Sequence, residues 1–147
     1  MLLNKSTEYA LKVLSLIRKN HSQKNLLTIE ISNLLDIKPA YLSKILQKLQ
    51  HSGFLKSIPG PGGGFSMEPH MQKKKLIEVV RLFDNEKILT RCILGMSACG
   101  DENPCPFHNA WKIFSRELHH YLHSTSIHDL TDNIWPEFNT VISDKYD

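Results

Sequence analysis

Apolar residues recur at three- and four-residue spacing through Tyr9, Ala10, Val13, Leu14, Leu16 and Ile17, behind Ser6 and Thr7, which can cap a helix start. This stripe predicts a first helix ending near Asn20. Thr28, with Ile29, Ile31, Leu34 and Leu35, predicts a second, shorter helix with Thr28 as N-cap and a tight turn at Asp36. Pro39 suits the first turn of a third helix, where its missing N–H is not needed. Tyr41, Leu42, Ile45, Leu46 and Leu49 continue that helix until Gly53 supplies a stop.

The period then changes. Phe54–Ile58 and Phe65–Met67 read as short strands around Pro59–Gly64, a turn of four glycines and two prolines. Beyond the basic run from Lys73, the positions Leu76, Ile77, Val79, Val80, Leu82 and Phe83 predict a fourth helix packed on the first. A long stripe follows on Phe107, Ala110, Trp111, Phe114, Leu118, Tyr121 and Leu122, about four to five helical turns. A domain this small leaves part of such a stripe uncovered, so it is expected to cross its twin antiparallel in a homodimer, with Trp111, Phe114, Leu118, Tyr121 and Leu122 as contacts; a helix of the chain's own core is the plain alternative. One more short helix is expected around Ile127–Ile134, before Pro136.

The second and third helices, a few residues apart, form a helix-turn-helix pattern, and the glycine-rich hairpin reads as its wing. The fold class is mainly α: a winged helix-turn-helix domain (1–70), a segment with a loop and a long C-terminal dimerisation helix (71–134), and a tail (135–147). Residues 1–81 carry 13 Lys and Arg against 5 Asp and Glu, whereas residues 82–147 carry 5 against 10. A basic front half suits a double-stranded DNA operator; a lysine-rich solvated surface is the plain alternative. Expected contacts are Lys38, Ala40, Tyr41, Ser43, Lys44 and Lys48 on the third helix and Gly60, Gly62 and Gly63 in the wing. The lysines would hold phosphates, while Ser43 or Tyr41 would touch base edges.

All three cysteines stand in one stretch. Six residues separate Cys92 from Cys99, five separate Cys99 from Cys105, and two separate Cys105 from His108. Thiolates and an imidazole in a Gly/Asp/Asn/Pro-rich loop are a soft ligand set suited to zinc or iron–sulfur. Structural zinc knuckles favour closer cysteine pairs, so these gaps favour a larger inorganic core; zinc and a metal-free thiol switch stay open. No window approaches a membrane span, and the opening residues lack the pattern of a secretory signal, so a cytoplasmic protein with no membrane partner is expected. His119, His120 and His123 are read as a solvated helix face. No Cys-x-x-Cys pair, catalytic Ser/His/Asp arrangement or P-loop speaks for an enzyme.

Three local patterns resemble the Rrf-two family of bacterial winged-helix regulators, of the IscR/NsrR type. They are Ser6-Thr7-Glu8-Tyr9-Ala10-Leu11, Gly60-Pro61-Gly62-Gly63-Gly64-Phe65, and Thr90-Arg91-Cys92 through Cys99, Cys105 and His108 to Trp111. The resemblance covers about residues 1–134. It implies a dimer on pseudo-palindromic operators, controlled by an iron–sulfur cluster that senses iron, redox state or nitric oxide, with Cys92, Cys99 and Cys105 as ligands. His108 matches the fourth ligand of the [2Fe-2S] members, which is the favoured assignment. Glu8 matches a carboxylate that completes a [4Fe-4S] site in nitric-oxide-sensing members, reaching across from the partner subunit. The chain departs from the family in having Pro59 where many relatives have arginine, which would leave Lys56 to compensate, and in its six-residue first cysteine gap.

Overall fold

In a computed structural model, residues 2–20 and 24–130 are described. Helix α1 (Lys5–Asn20) buries Ala10, Val13, Leu14, Leu16 and Ile17, the face the spacing predicts. Its cap is different: Asn4 Oδ1 accepts from the Thr7 amide at 2.8 Å, so Ser6 and Thr7 lie inside the first turn. Asn4 is chosen because it also binds the far side of the domain. Its Nδ2 donates to the Phe83 carbonyl at 2.6 Å and its amide to Asp84 Oδ2 at 2.8 Å.

Helix α2 (Thr28–Leu35) also starts without the expected cap, since Leu27 holds the N-cap position. The Glu30 carboxylate, three residues on, accepts from the Leu27 amide at 2.8 Å and satisfies that donor instead. Asp36 makes the turn with φ 53°, and Pro39 opens α3 (Pro39–His51). Gly53, at φ 78°, ends it, and the Phe54 amide returns to the Leu49 carbonyl at 2.9 Å.

The wing pairs β1 (Lys56–Ile58) antiparallel with β2 (Gly64–Ser66), Ser57 opposite Phe65. The first strand starts two residues later than the sequence suggests. Phe54 and Leu55 are both buried, which consecutive residues of a one-sided strand do not achieve. Phe65 also exchanges two backbone hydrogen bonds with Leu26, tying the wing to the chain entering α2.

Helix α4 (Leu76–Phe83) packs on α1 as expected, burying Leu76, Ile77, Val79 and Val80. A 3-10 turn, Glu86–Leu89, leads into an irregular loop, and α5 (His108–Ser124) returns across α4. After α5 the chain departs from expectation. Ser126 bridges Lys75, the Ile127 amide donates to the Lys74 carbonyl at 3.0 Å, and residues 127–130 form a turn rather than a helix. The fully buried Ile127 is fixed by that pairing. Residues 131–134 and the tail lie outside the described residues. Among the described residues, no helix is long and apolar enough to cross a membrane.

Candidate nucleic-acid interface and metal centre

On α3, the buried stripe Leu42, Ile45, Leu46 and Leu49 fixes the opposite face outward. Ala40, Tyr41, Lys44 and Lys48 are exposed there, with Lys38 at the N-cap and Ser43 half-buried. Two of these side chains are engaged within the protein. The Tyr41 hydroxyl bonds Ser6 Oγ at 2.5 Å and its ring meets Tyr9 edge-on at 5.7 Å, while Lys48 Nζ sits 5.0 Å from the centre of the Phe83 ring. Lys44 stands out on the exposed face.

In the wing, Gly60 and Gly62 are exposed at positive φ and Gly63 is buried. A Cβ at Gly63 would lie 2.1 Å from the Ile58 carbonyl oxygen, so that turn closes only around glycine. Asn25 Nδ2, absent from the sequence expectations, donates to the Gly62 carbonyl at 3.2 Å and steadies the tip. Lys56 forms an ion pair with Glu68 at 2.9 Å. That pair holds the side chain expected to stand in for an arginine at Pro59.

The loop between Thr90 and Phe107 brings the three cysteines together, their sulfurs within 4.8 Å of one another. Cys92 Sγ lies 3.7 Å from Cys105 Sγ, and Cys99 Sγ lies 3.3 Å from His108 Nδ1. The loop is held by short-range bonds, Gly95 amide to Cys92 carbonyl and His108 amide to Cys105 carbonyl, and by Trp111 Nε1 donating to the Arg91 carbonyl at 2.8 Å. The Met96 amide at Cys92, then that of Leu94 and the neighbouring thiols, pulls the Cys92 thiol down to about 7. At Cys99 the Cys105 amide favours the thiolate, but burial and the other two thiols together outweigh it and push the group up. The nest therefore favours a thiolate at Cys92 and disfavours one at Cys99 unless a cation joins it.

His108 is oriented from behind. Its Nε2 lies 2.9 Å from Asp101 Oδ1, an oxygen that also takes Lys112 Nζ at 2.6 Å. A carboxylate only accepts, so Nε2 carries the proton and Nδ1 turns its lone pair toward Cys99. Asp101 was not singled out in the sequence, although an acidic residue beside ligating positions is the only signal available. Glu8, the rival fourth ligand, pairs with Lys5 at 2.9 Å in its own chain. Cys92, Cys99, His108, Trp111 and His119 line one side of an open cleft of about 500 Å³.

The long stripe splits between two faces. Leu122 is buried and Leu118 packs against the same core, while Trp111 is half-buried over Arg91. Ile113, Phe114 and Tyr121 face outward, Phe114 being 69% exposed. The histidines divide likewise: His120 is exposed, but His119 and His123 turn toward Glu86 and do not form a simple solvated face.

Comparison with known proteins agrees with this architecture. The sequence pattern of the Rrf2 family, described as an iron-dependent transcriptional regulator, matches residues 3–133. IscR of Vibrio parahaemolyticus, an HTH-type transcriptional regulator, is 30% identical over 129 residues, covering 86% of this chain and 74% of the relative. Matched stretches span from 61% to 91% of the first curated relatives. Among solved structures, CymR, the global cysteine regulator of B. subtilis, superposes with a TM-score of 0.64 at 21% identity, over 86% of this chain and 93% of that one. IscR of T. potens superposes with a TM-score of 0.60 at 16% identity, over 86% and 83%. These two share the fold.

Proposed function

The chain belongs to the Rrf2 family of transcriptional regulators, which are not enzymes, and from that premise we propose that it is a cytoplasmic homodimeric regulator whose affinity for a double-stranded DNA operator is set by an iron–sulfur cluster. Cys92, Cys99, Cys105 and His108 would hold the cluster. The observation that carries this reading is the grouping of four soft donors into two pairs, Cys92 with Cys105 and Cys99 with His108. Two ligands of one tetrahedral metal, with bonds of about 2.0–2.3 Å, stand roughly 3.3–3.8 Å apart. Both pairs have that spacing, which favours a [2Fe-2S] centre over a [4Fe-4S] centre completed by Glu8.

When bound, such a cluster supplies a core whose charge and integrity respond to oxidants, nitric oxide and iron supply. The chain's own residues relay the state of the loop. Trp111 fastens the start of the loop to α5, α5 lies on α4, and Asn4 and Asp84 join α4 to α1 of the winged domain. Ile113, Phe114 and Tyr121 would meet a second copy, setting two α3 helices against half-sites about 34 Å apart. Lys38 and Lys44, and Lys48 once it leaves the Phe83 ring, would then lie along phosphates, with Ser43 or Tyr41 at base edges, Ala40 on the same face, and the exposed Gly60 and Gly62 of the wing against the backbone.

A second reading is a metal-free or zinc-binding thiol switch on the same fold. It is favoured by the Cys92 thiol, held near 7 and 3.7 Å from Cys105. One experiment separates the two. Full-length protein prepared anaerobically is assayed for iron, acid-labile sulfide and visible absorption, and its operator binding is compared with that of Cys92→Ala. Coloured, iron-loaded protein with altered binding in the variant supports the cluster; colourless protein whose binding changes only on oxidation supports the switch. In the same assay Lys44→Ala should weaken binding to every sequence and flatten the salt dependence by about one unit of slope.

A further inference from the structure

A second group of ligand-type side chains lies outside the cysteine nest. His119 and His123 are one turn apart on α5, so their rings share a face, with centroids 3.9 Å apart. Glu86, at the start of the 3-10 turn after α4, comes up to both. Its Oε1 lies 3.5 Å from His119 Nε2 and 3.4 Å from His123 Nε2.

The hydrogen bonds at His123 decide which atoms face each other. Its Nδ1 is 2.8 Å from the His119 backbone carbonyl. A carbonyl accepts only, so Nδ1 carries a proton and donates to it, which leaves Nε2 facing the carboxylate oxygen. An imidazole nitrogen and a carboxylate oxygen at that distance are bridged by a proton or by another cation. Arg81 supplies part of that charge, with Nη2 3.3 Å from His123 Nε2 and 3.2 Å from Glu86 Oε1. Its Nε meanwhile holds the other carboxylate oxygen, Oε2, at 2.8 Å.

We propose that Glu86, His119 and His123 form a second metal site, separate from the cysteines, for a single divalent cation of the zinc class. Three observations converge on it. The distances from Oε1 to the two ring nitrogens match the roughly 3.3–3.4 Å between ligands of a tetrahedral ion with bonds of about 2.0–2.1 Å. Two imidazoles and one carboxylate are a borderline donor set, which selects zinc-type ions over calcium or magnesium. Arg81 needs only to release Oε1, since through Oε2 it keeps the carboxylate aimed from behind, the usual role of a partner beyond the ligands. The side chains of Glu86, His119 and His123 are 35%, 45% and 35% exposed, which leaves a coordination position open to water. A bound ion would tie the 3-10 turn, and hence the approach to Cys92, to the side of α5.

The test uses the full-length chain carrying Cys92→Ser, Cys99→Ser and Cys105→Ser, so that no thiol competes. Titration with zinc chloride against a chelator should give one ion per chain. Glu86→Gln, His119→Ala and His123→Ala should each weaken it by about tenfold or more, with the helical circular dichroism unchanged. Failure to bind, or binding indifferent to all three substitutions, overturns the proposal. Should the serine variant not fold, cobalt(II) added to the cysteine-containing chain gives the same decision. The proposal requires a ligand-field signal without sulfur charge transfer that disappears in His123→Ala; a spectrum that is thiolate alone, or unchanged in that variant, refutes it. The first outcome does not depend on the cysteines, because no thiol is present, and in the second it is the difference between the parent and His123→Ala that decides.

Discussion

Asp101 and His108 form a carboxylate–imidazole pair, Oδ1 2.9 Å from Nε2, on the side of the ring away from Cys99. The pair turns a rotatable histidine into a directed one. Asp101→Ala should leave Nδ1 free to swing from Cys99 and reduce retention of the proposed metal centre by roughly 10- to 100-fold. The loss is measured as the rate at which iron leaves the protein to a chelator under anaerobic conditions. An unchanged release rate would show that Asp101 does not position His108.

Gly63 and Gly62 separate two demands made on the wing. A methyl at Gly63 meets the Ile58 and Gly60 carbonyl oxygens at 2.1 and 2.7 Å, whereas at Gly62 it meets nothing within 4 Å and suffers only from φ 72°. Gly63→Ala should therefore distort the hairpin and cost about 1–3 kcal/mol, against roughly 1 kcal/mol for Gly62→Ala. Denaturant melts of the two variants give the difference directly. Equal losses would mean that the turn opens without resistance.

Phe114 leaves 69% of its surface in water on the outer face of α5. Phe114→Asp should split the proposed dimer at a cost of about 2 kcal/mol or more in association, without lowering the stability of the separated chain. Sedimentation equilibrium reads the first quantity and thermal unfolding of the monomer the second. A dimer that survives the charge uses another surface.

Glu30 gives the fold one acid-sensitive contribution to its stability. Its carboxylate is held below its ordinary value of 4.5, first by Lys24 at 2.7 Å and then by the Leu27 amide at 2.8 Å. The folded state thus releases the proton more easily than the unfolded chain. The resulting stabilisation is complete above about pH 4.5 and is lost as pH falls through the lowered folded value. Glu30→Gln should be less stable than the parent at neutral pH, and the gap should close on acidification. A gap in thermal midpoint that stays constant as pH falls would refute the assignment.

The elements were legible because each carries local punctuation: Pro39 and Gly53 bracket α3, Asp36 turns, and the cysteines mark their own loop. The caps were not. Ser6 and Thr7 are as good as Asn4 by type, and the choice went to Asn4 through Asp84, a partner 80 residues away. The apolar stripe of α5 likewise shows that something covers it, but not that Leu118 and Leu122 turn to their own core while Phe114 turns away. Glu86 was invisible beside His119 and His123, since its place depends on a non-helical turn folding back on α5. Periodicity along one helix does not report what comes to meet it.

The backbone pairing that follows α5 anchors one end of that helix. The Leu76 amide takes the Thr125 carbonyl, Ile127 and His128 take Lys74 and Gln72, and one extremity of the rod is clamped where α4 begins. The other extremity starts at His108, beside the thiols. Over 17 residues the rod is about 25 Å long, so a shift of roughly 1 Å at the sulfur end swings it by only about 2°. A small chemical change near one tip is delivered as a rotation about the opposite tip, and the aromatic side chains along its length sweep farther the nearer they sit to His108. Phe107 and Phe114 would thus move more than Tyr121, and the proposed pairing of two such rods would be altered unevenly along its seam.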